Sequence, residues 1–268
     1  RERKPFPDHL RLRRGPGESL RRQIDRIDNR LLQRAVFAFL APLAASGALA
    51  WITTHLYDRT QIVALVAVLI TLLGVLWWIG RSLSRLLDAW RNRYLGYFGE
   101  RVVAEALEPL KAHAHHVFHD VPAGDRGRRF NLDHVVVGPG GVFAVETKTR
   151  RQGLGPTRVG VASHEIIYDG KNLSYPWGED RHGLETARER AEWLGRWLQR
   201  ELEMEIPVHP ILTFPGWTVV TREPGPITVV SPARLTEVVL QPREDPLGPA
   251  RIDAIAQLLD ARCRDVEF

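Results

Sequence analysis

The segment Asn131–Lys148, NLDHVVVGPGGVFAVETK, carries the clearest fold pattern in this chain. Its two apolar runs, Val135–Val137 and Val142–Val145, are short, mostly β-branched and bounded by glycines, which is typical of strands. The residues between them, Gly138–Gly141, read Gly-Pro-Gly-Gly and predict a tight turn. We therefore predict a β-hairpin in the buried part of a sheet.

The second strand of this hairpin ends in polar residues that can do chemistry. Side chains alternate between the two faces of a sheet, so Glu146 and Lys148 share one face. Pairing across the turn lets Asp133 reach the same side, while His134 points to the other face, where it packs and hydrogen-bonds or shapes the site indirectly. Carboxylates suit hard cations such as Mg²⁺, which activate water and stabilise charge on phosphate. A nearby ammonium can orient that water or stabilise the developing charge.

A plain salt bridge at the strand end, between Lys148 and Glu146 or Asp133, is the simpler interpretation of the same pattern. The use of basic residues favours the chemical interpretation, because the chain has only four lysines, at positions 4, 111, 148 and 171, among 37 lysines and arginines. Arginine would serve a plain salt bridge at least as well. A lysine beside an otherwise apolar strand therefore indicates a need for a compact ammonium.

The segment from Asp133 to Lys148, together with Gly99-Glu100 at the start of a predicted helix, resembles the nuclease-related domain (NERD). That family belongs to the restriction-endonuclease-like superfamily, and the resemblance covers roughly residues 97–220. It implies an α/β fold with a mixed β-sheet flanked by helices. It also implies phosphodiester cleavage, of DNA more than RNA, with Mg²⁺ or Mn²⁺ as cofactor.

The resemblance assigns a role to each site residue. Asp133 and Glu146 would be the metal ligands, Lys148 would position water or stabilise charge, and Glu100 matches an additional acid of the family. Family members usually begin the following helix, here predicted at Gly183–Glu203, with a supporting glutamine. Thr186 stands in its place and offers only a short hydroxyl. This departure favours an alternative function, a catalytically inactive, membrane-tethered module that binds nucleic acid or acts as a scaffold.

Net charge and loop composition predict an anionic partner. The chain of 268 residues has a formal net charge of +5, which suits nucleic acid or an anionic membrane surface. We expect a loop at Asp120–Arg129, in which Arg126, Arg128 and Arg129 either contact a nucleic-acid backbone or are simply solvated. The single cysteine, Cys263, excludes an intrachain disulfide and fits a reducing compartment.

Two apolar stretches, 35–56 and 62–80, contain no Asp, Glu, Lys or Arg, and each is close to the roughly 20 residues needed to span a bilayer. They predict a transmembrane hairpin, and a buried soluble helical hairpin is the alternative. Both outer flanks of the hairpin are rich in arginine. We therefore expect the hairpin in the cell membrane of a bacterium, with both termini in the cytoplasm.

The remaining boundaries follow from these stretches. Residues 1–34 form a basic segment that lies on anionic lipid or, alternatively, binds nucleic acid. We predict an amphipathic linker helix at residues 81–96, and the resemblance implies a nuclease-related domain with a C-terminal extension at residues 97–268. No Walker phosphate loop, dinucleotide-binding glycine motif or zinc-protease motif occurs in the sequence, so those classes are not indicated.

Overall fold

The computed structural model describes residues 11–55, 58–125, 127–152 and 162–266. The chain divides into two compact units, one formed by Leu20–Tyr94 and the other by Arg1–Ser19 together with Leu95–Phe268. We describe each unit by itself.

The helices and strands have the following bounds. The helices are α1 (Glu18–His55), α2 (Asp58–Leu107), α3 (His182–Leu202), α4 (Leu235–Leu240) and α5 (Pro249–Cys263), with 3₁₀ turns at Glu108–His113 and Pro232–Arg234. The strands are β1 (Leu12–Arg13), β2 (His116–Asp125), β3 (Arg128–Gly138), β4 (Gly141–Thr147), β5 (Glu165–Tyr168), β6 (Leu173–Tyr175), β7 (Gly178–Asp180), β8 (Val208–Thr213), β9 (Thr218–Thr221), β10 (Thr228–Val230) and β11 (Arg264–Val266).

The first unit consists of α1 from Leu20 onward and of α2 as far as Tyr94. Each helix contains a stretch long and apolar enough to cross a membrane, and only 6% of each stretch is buried. Large apolar side chains are exposed along both helices, among them Phe37, Phe39, Leu43, Trp51, Ile62, Ile70, Leu73 and Trp77. A soluble protein rarely leaves so much apolar surface uncovered. The segment predicted as the amphipathic linker helix, 81–96, is part of α2.

The second unit is built on a five-stranded mixed sheet with the order β10-β8-β4-β3-β2. Strands β2, β3 and β4 pair antiparallel, while β4, β8 and β10 pair parallel. The predicted hairpin is present, with Gly138 opposite Gly141 at its turn. Gly141 has a φ of +116°, a conformation that favours glycine.

The expected loop at Asp120–Arg129 is wrong, because β2 continues to Asp125 and β3 begins at Arg128. The two strands stay in register through this region, with Pro122 opposite Asn131. Proline and glycine are tolerated here because β2 is an edge strand of the sheet.

Helices cover both faces of the five-stranded sheet. On one face, Val135 and Ala144 pack with Leu194 of α3 and Ile255 of α5. On the other face, the core contains apolar residues of β3, β4, the end of α2 and α4, namely Val136, Phe143, Val103, Leu107 and Val239. The predicted fold class, an α/β mixed sheet flanked by helices, is confirmed.

The N-terminal segment belongs to this second unit. Strand β1 pairs antiparallel with β11, and the backbone N–H of Arg14 donates to the carbonyl of Cys263 at 3.0 Å. The second, four-stranded sheet has the order β7-β6-β5-β9 and leads into the start of α3.

Candidate active site

The candidate site lies where β3 and β4 meet the side of α3. His134 pairs with Val145, so the next step of the antiparallel register places Asp133 opposite Glu146. Lys148 follows the last residue of β4 and returns to the face of Glu146. The structure therefore brings these two acids and the lysine together.

The two carboxylates share one arginine of α3, Arg190. Its Nη1 lies 2.8 Å from Oδ1 of Asp133 and also donates to Oε2 of Glu146. The other oxygen of each acid is bonded as well: the N–H of Thr147 donates to Oδ2 of Asp133 at 2.8 Å, and Lys148 Nζ lies 2.8 Å from Oε1 of Glu146. The result is a network of two acids and two cations. It contains the salt bridge between Lys148 and Glu146 that is the simpler interpretation of the sequence pattern.

Burial strongly changes the acidity of this cluster. Glu146 is only 3% exposed, and burial together with the charge of Asp133 raises the pKa of Glu146 to about 7, against the opposing effect of Arg190 and Lys148. Glu100 of α2 is also buried, and burial followed by the charges of Asp133, Asp120 and Glu146 raises its pKa to about 9. Positive charge brought to this cluster is therefore stabilising.

Glu100 lies in the field of these acids without joining their hydrogen bonds. Its Oε2 is buried and has no hydrogen-bond partner among the described residues. The resemblance assigns Glu100 to the site, and in the structure the charges of Asp133 and Glu146 contribute to its raised pKa.

Arg190 is the site residue that the sequence interpretation missed. It lies three residues after Ala187 and four before Leu194, both of which are buried on the inner face of α3. An arginine at a helical position that otherwise faces the core needs an acidic partner. That position was the available signal.

Two expected supporting residues make no hydrogen bond to the acids among the described contacts. The hydroxyl of Thr186 donates to the carbonyl of His182 in its own helix at 2.7 Å, and Arg190, one turn later, bonds the acids instead. His134 is fully buried on the opposite face, with its Nδ1 2.8 Å from Nδ1 of His119, and burial lowers the pKa of His134. His134 therefore supports the interior rather than the acid cluster.

The cluster opens into a cleft of about 510 Å³. The charged side chains that line it are Lys148, Arg190 and Arg196 against Glu185, Glu189 and Glu192. Since Lys148 and Arg190 already pair with acids, the cleft itself offers little uncompensated positive charge.

The arginines proposed to contact nucleic acid remain predictions. Arg126 and the side chain of Arg128 lie outside the described part of the chain. Arg129 is exposed on β3, opposite Gly124.

The donor set fits a hard divalent cation with few protein ligands. No three His, Cys, Asp or Glu side chains within residues 11–55, 58–125, 127–152 and 162–266 are grouped so as to hold a metal ion. Asp133 and Glu146 nevertheless converge on one point, at Arg190 Nη1. Mg²⁺ commonly binds through one or two carboxylates, with waters and substrate phosphates completing its shell.

The fold and this arrangement define a class of protein: an α/β domain in which an aspartate and a Glu-x-Lys meet at the ends of adjacent strands. Residues 95–215 match the family model described as nuclease-related domain. The matched range contains every candidate site residue named above. No curated protein and no solved structure matches the chain.

Proposed function

We propose that the protein is a membrane-anchored, metal-dependent nuclease that hydrolyses phosphodiester bonds on the cytosolic side, with DNA preferred to RNA. The observation that carries the proposal is the convergence of Asp133, Glu146 and Lys148 in one network, beside the cleft that Lys148 lines and within the range that matches the nuclease-related domain.

Each residue of the cluster has a role in this reaction. Asp133 and Glu146 would hold Mg²⁺ or Mn²⁺, which when bound supplies a Lewis acid that activates water and offsets charge on the phosphate. Lys148, whose side chain is 19% exposed at the cleft, would donate to the attacking water or to a phosphate oxygen. Because the cluster is buried, these interactions act with little screening by solvent.

Two observations support the membrane anchor and its orientation. The apolar stretches of α1 and α2 are exposed, as expected for surfaces that face lipid. Residues 12–19 belong to the same unit as residues 95–266, as expected when an even number of crossings separates the two segments. The arginine-rich flanks favour the cytosolic side for both segments.

Activity should be tested on the full chain purified in detergent. A fragment that begins after α1 would lack Arg14 and Ser19, which donate to the buried carboxylate of Asp120. Supercoiled plasmid, linear duplex, single-stranded DNA and RNA should each be incubated with Mg²⁺ or Mn²⁺, with and without chelator.

The exposed turn residue Lys171 provides a matched control for Lys148. We expect Lys148→Ala to reduce cleavage by about 100-fold or more, since loss of one charge-stabilising donor typically has that effect. Lys171→Ala should cleave like the wild type. Equal cleavage by Lys148→Ala and wild type would identify a contaminating nuclease and remove the basis of the proposal.

A tethered module without turnover is the second candidate. It is favoured by Arg190, which occupies the point on which the two acids converge, and by Thr186 in place of glutamine. This candidate predicts no cleavage of any substrate, together with salt-sensitive binding of nucleic acid that survives Lys148→Ala.

A further inference from the structure

We propose that Arg190 is an internal competitor of the divalent metal: its guanidinium holds Asp133 and Glu146 in the metal-free protein and leaves them when the metal binds. This inference rests on the proposed function, because it assumes that these acids are metal ligands. It adds a residue that controls loading of the site.

The hydrogen bonds of the two acids show why guanidinium and metal exclude each other. One oxygen of Asp133 is committed to the N–H of Thr147, and one oxygen of Glu146 is committed to Lys148. The remaining oxygens, Oδ1 of Asp133 and Oε2 of Glu146, both bond Nη1 of Arg190. A cation that uses both carboxylates at their common point must therefore take the place of that nitrogen.

The cleft beside Arg190 has room for a second position of its side chain. Its side chain is 21% exposed and lines the cleft of about 510 Å³. Its Cζ lies 6.0 Å from the ring centroid of Phe130, which lines the same cleft. An aromatic face attracts a guanidinium, so Phe130 offers a second position for the displaced group.

Charge explains why the metal-free site needs Arg190. Without a cation between them, Asp133 and Glu146 would repel each other in a poorly solvated environment. Exchange of a guanidinium for a divalent ion keeps the acids compensated throughout. Removal of Arg190 should therefore lower the stability of the metal-free protein and raise its affinity for the metal.

The test measures Mn²⁺ binding to the full chain in detergent, without nucleic acid, by calorimetry and by electron paramagnetic resonance. The variants are Arg190→Gln, Arg190→Lys and the matched control Arg196→Gln. Arg196 lies on the same helix and lines the same cleft, but its side chain is 62% exposed and its ion pair with Glu192 is long, at 3.6 Å.

We expect Arg190→Gln to bind Mn²⁺ about 10-fold more tightly than wild type or better, which corresponds to loss of a competing interaction of about 1.4 kcal/mol. Its thermal midpoint should be lower without metal and should rise more on addition of Mn²⁺. Arg190→Lys should lie between the two, and Arg196→Gln should match wild type.

Three outcomes decide the matter. Equal or weaker Mn²⁺ binding by Arg190→Gln overturns the competitor role, and wild-type binding that disappears in Asp133→Asn then leaves the proposed function standing. Absence of Mn²⁺ binding in both wild type and Arg190→Gln overturns the competitor and the nuclease together. If Arg190→Gln does not fold, an unchanged affinity in Arg190→Lys overturns the competitor.

Discussion

Substitution of Arg14 by methionine tests whether the segment 12–19 is an integral part of the second unit, which contains the five-stranded sheet. The side chain of Arg14 is 11% exposed, and its Nη1 lies 3.0 Å from Oδ2 of Asp120, whose side chain is 2% exposed. Arg14 also donates through Nε to Asp265 at 2.6 Å. Asp120 retains donors from Ser19 and Asn131.

The size of the effect follows from what Asp120 loses and keeps. Removal of one partner from a buried ion pair costs about 3–5 kcal/mol when the remaining charge is left alone. The donors from Ser19 and Asn131 reduce this cost. Burial already raises the pKa of Asp120, so protonation limits the cost further. We therefore expect Arg14→Met to lower the free energy of unfolding by about 2 kcal/mol, a fall in thermal midpoint of about 4–8 °C for a domain of this size.

Tryptophan fluorescence of the full chain in detergent can follow thermal unfolding. Arg13→Met is the matched control, because Arg13 is 45% exposed in its pair with Asp260 and such pairs contribute about 0–1 kcal/mol. A double-mutant cycle with Asp120→Asn should show a coupling of more than about 1 kcal/mol between Arg14 and Asp120. An effect of Arg14→Met no larger than that of Arg13→Met, or strict additivity with Asp120→Asn, would show that the ion pair of Arg14 with Asp120 does not stabilise the fold.

Three further predictions concern the interior, the strand end and the anchor. Burial lowers the pKa of His119 from its ordinary 6.5 to about 4, so the unfolded chain binds the proton between these values and the folded protein does not. Stability should therefore fall as pH drops from 6.5 towards 4, by up to about 3 kcal/mol, and His119→Asn should flatten that dependence in thermal unfolding at several pH values. An unchanged slope would contradict this assignment. A Cβ at Gly99 would collide with the side-chain methyl of Thr149, which directly follows Lys148. Gly99→Ala should therefore lower the free energy of unfolding by about 1–3 kcal/mol, and the added substitution Thr149→Gly should recover that stability. If the double variant recovers none of it, the contact is not the cause. The full chain should stay in the membrane fraction after an alkaline wash, and its release would exclude the transmembrane hairpin.

The hairpin and its acids could be predicted because they depend on local pattern. Apolar β-branched runs and a glycine-rich turn determine the strands, and the alternation of side chains places Glu146 and Lys148 on one face. The same local rules failed at Asp120–Arg129, where proline and glycine suggested a loop. An edge strand has no neighbouring strand on one side and tolerates such residues there, and β2 therefore extends through them to Asp125.

Arg190 and Arg14 could not be placed in this way because tertiary packing decides their partners. Which side of α3 faces inward is set by the packing of the helix on the sheet. That packing directs Arg190 towards Asp133 and Glu146. The contact of Arg14 with Asp120 joins residues 106 positions apart in the chain. No local pattern specifies such a pairing, and the basic segment instead suggested lipid or nucleic acid as its partner.

The most direct test of the central claim is the rate at which full-length wild type and Glu146→Gln nick supercoiled plasmid with Mg²⁺. Glutamine keeps the shape of Glu146 but removes the charge that would hold the metal and that pairs with Lys148. We expect nicking by the wild type that stops with chelator and falls by about 100-fold or more in Glu146→Gln. Nicking by Glu146→Gln within about twofold of wild type, which is a difference of only about 0.4 kcal/mol in the barrier, would show that Glu146 does not serve the reaction.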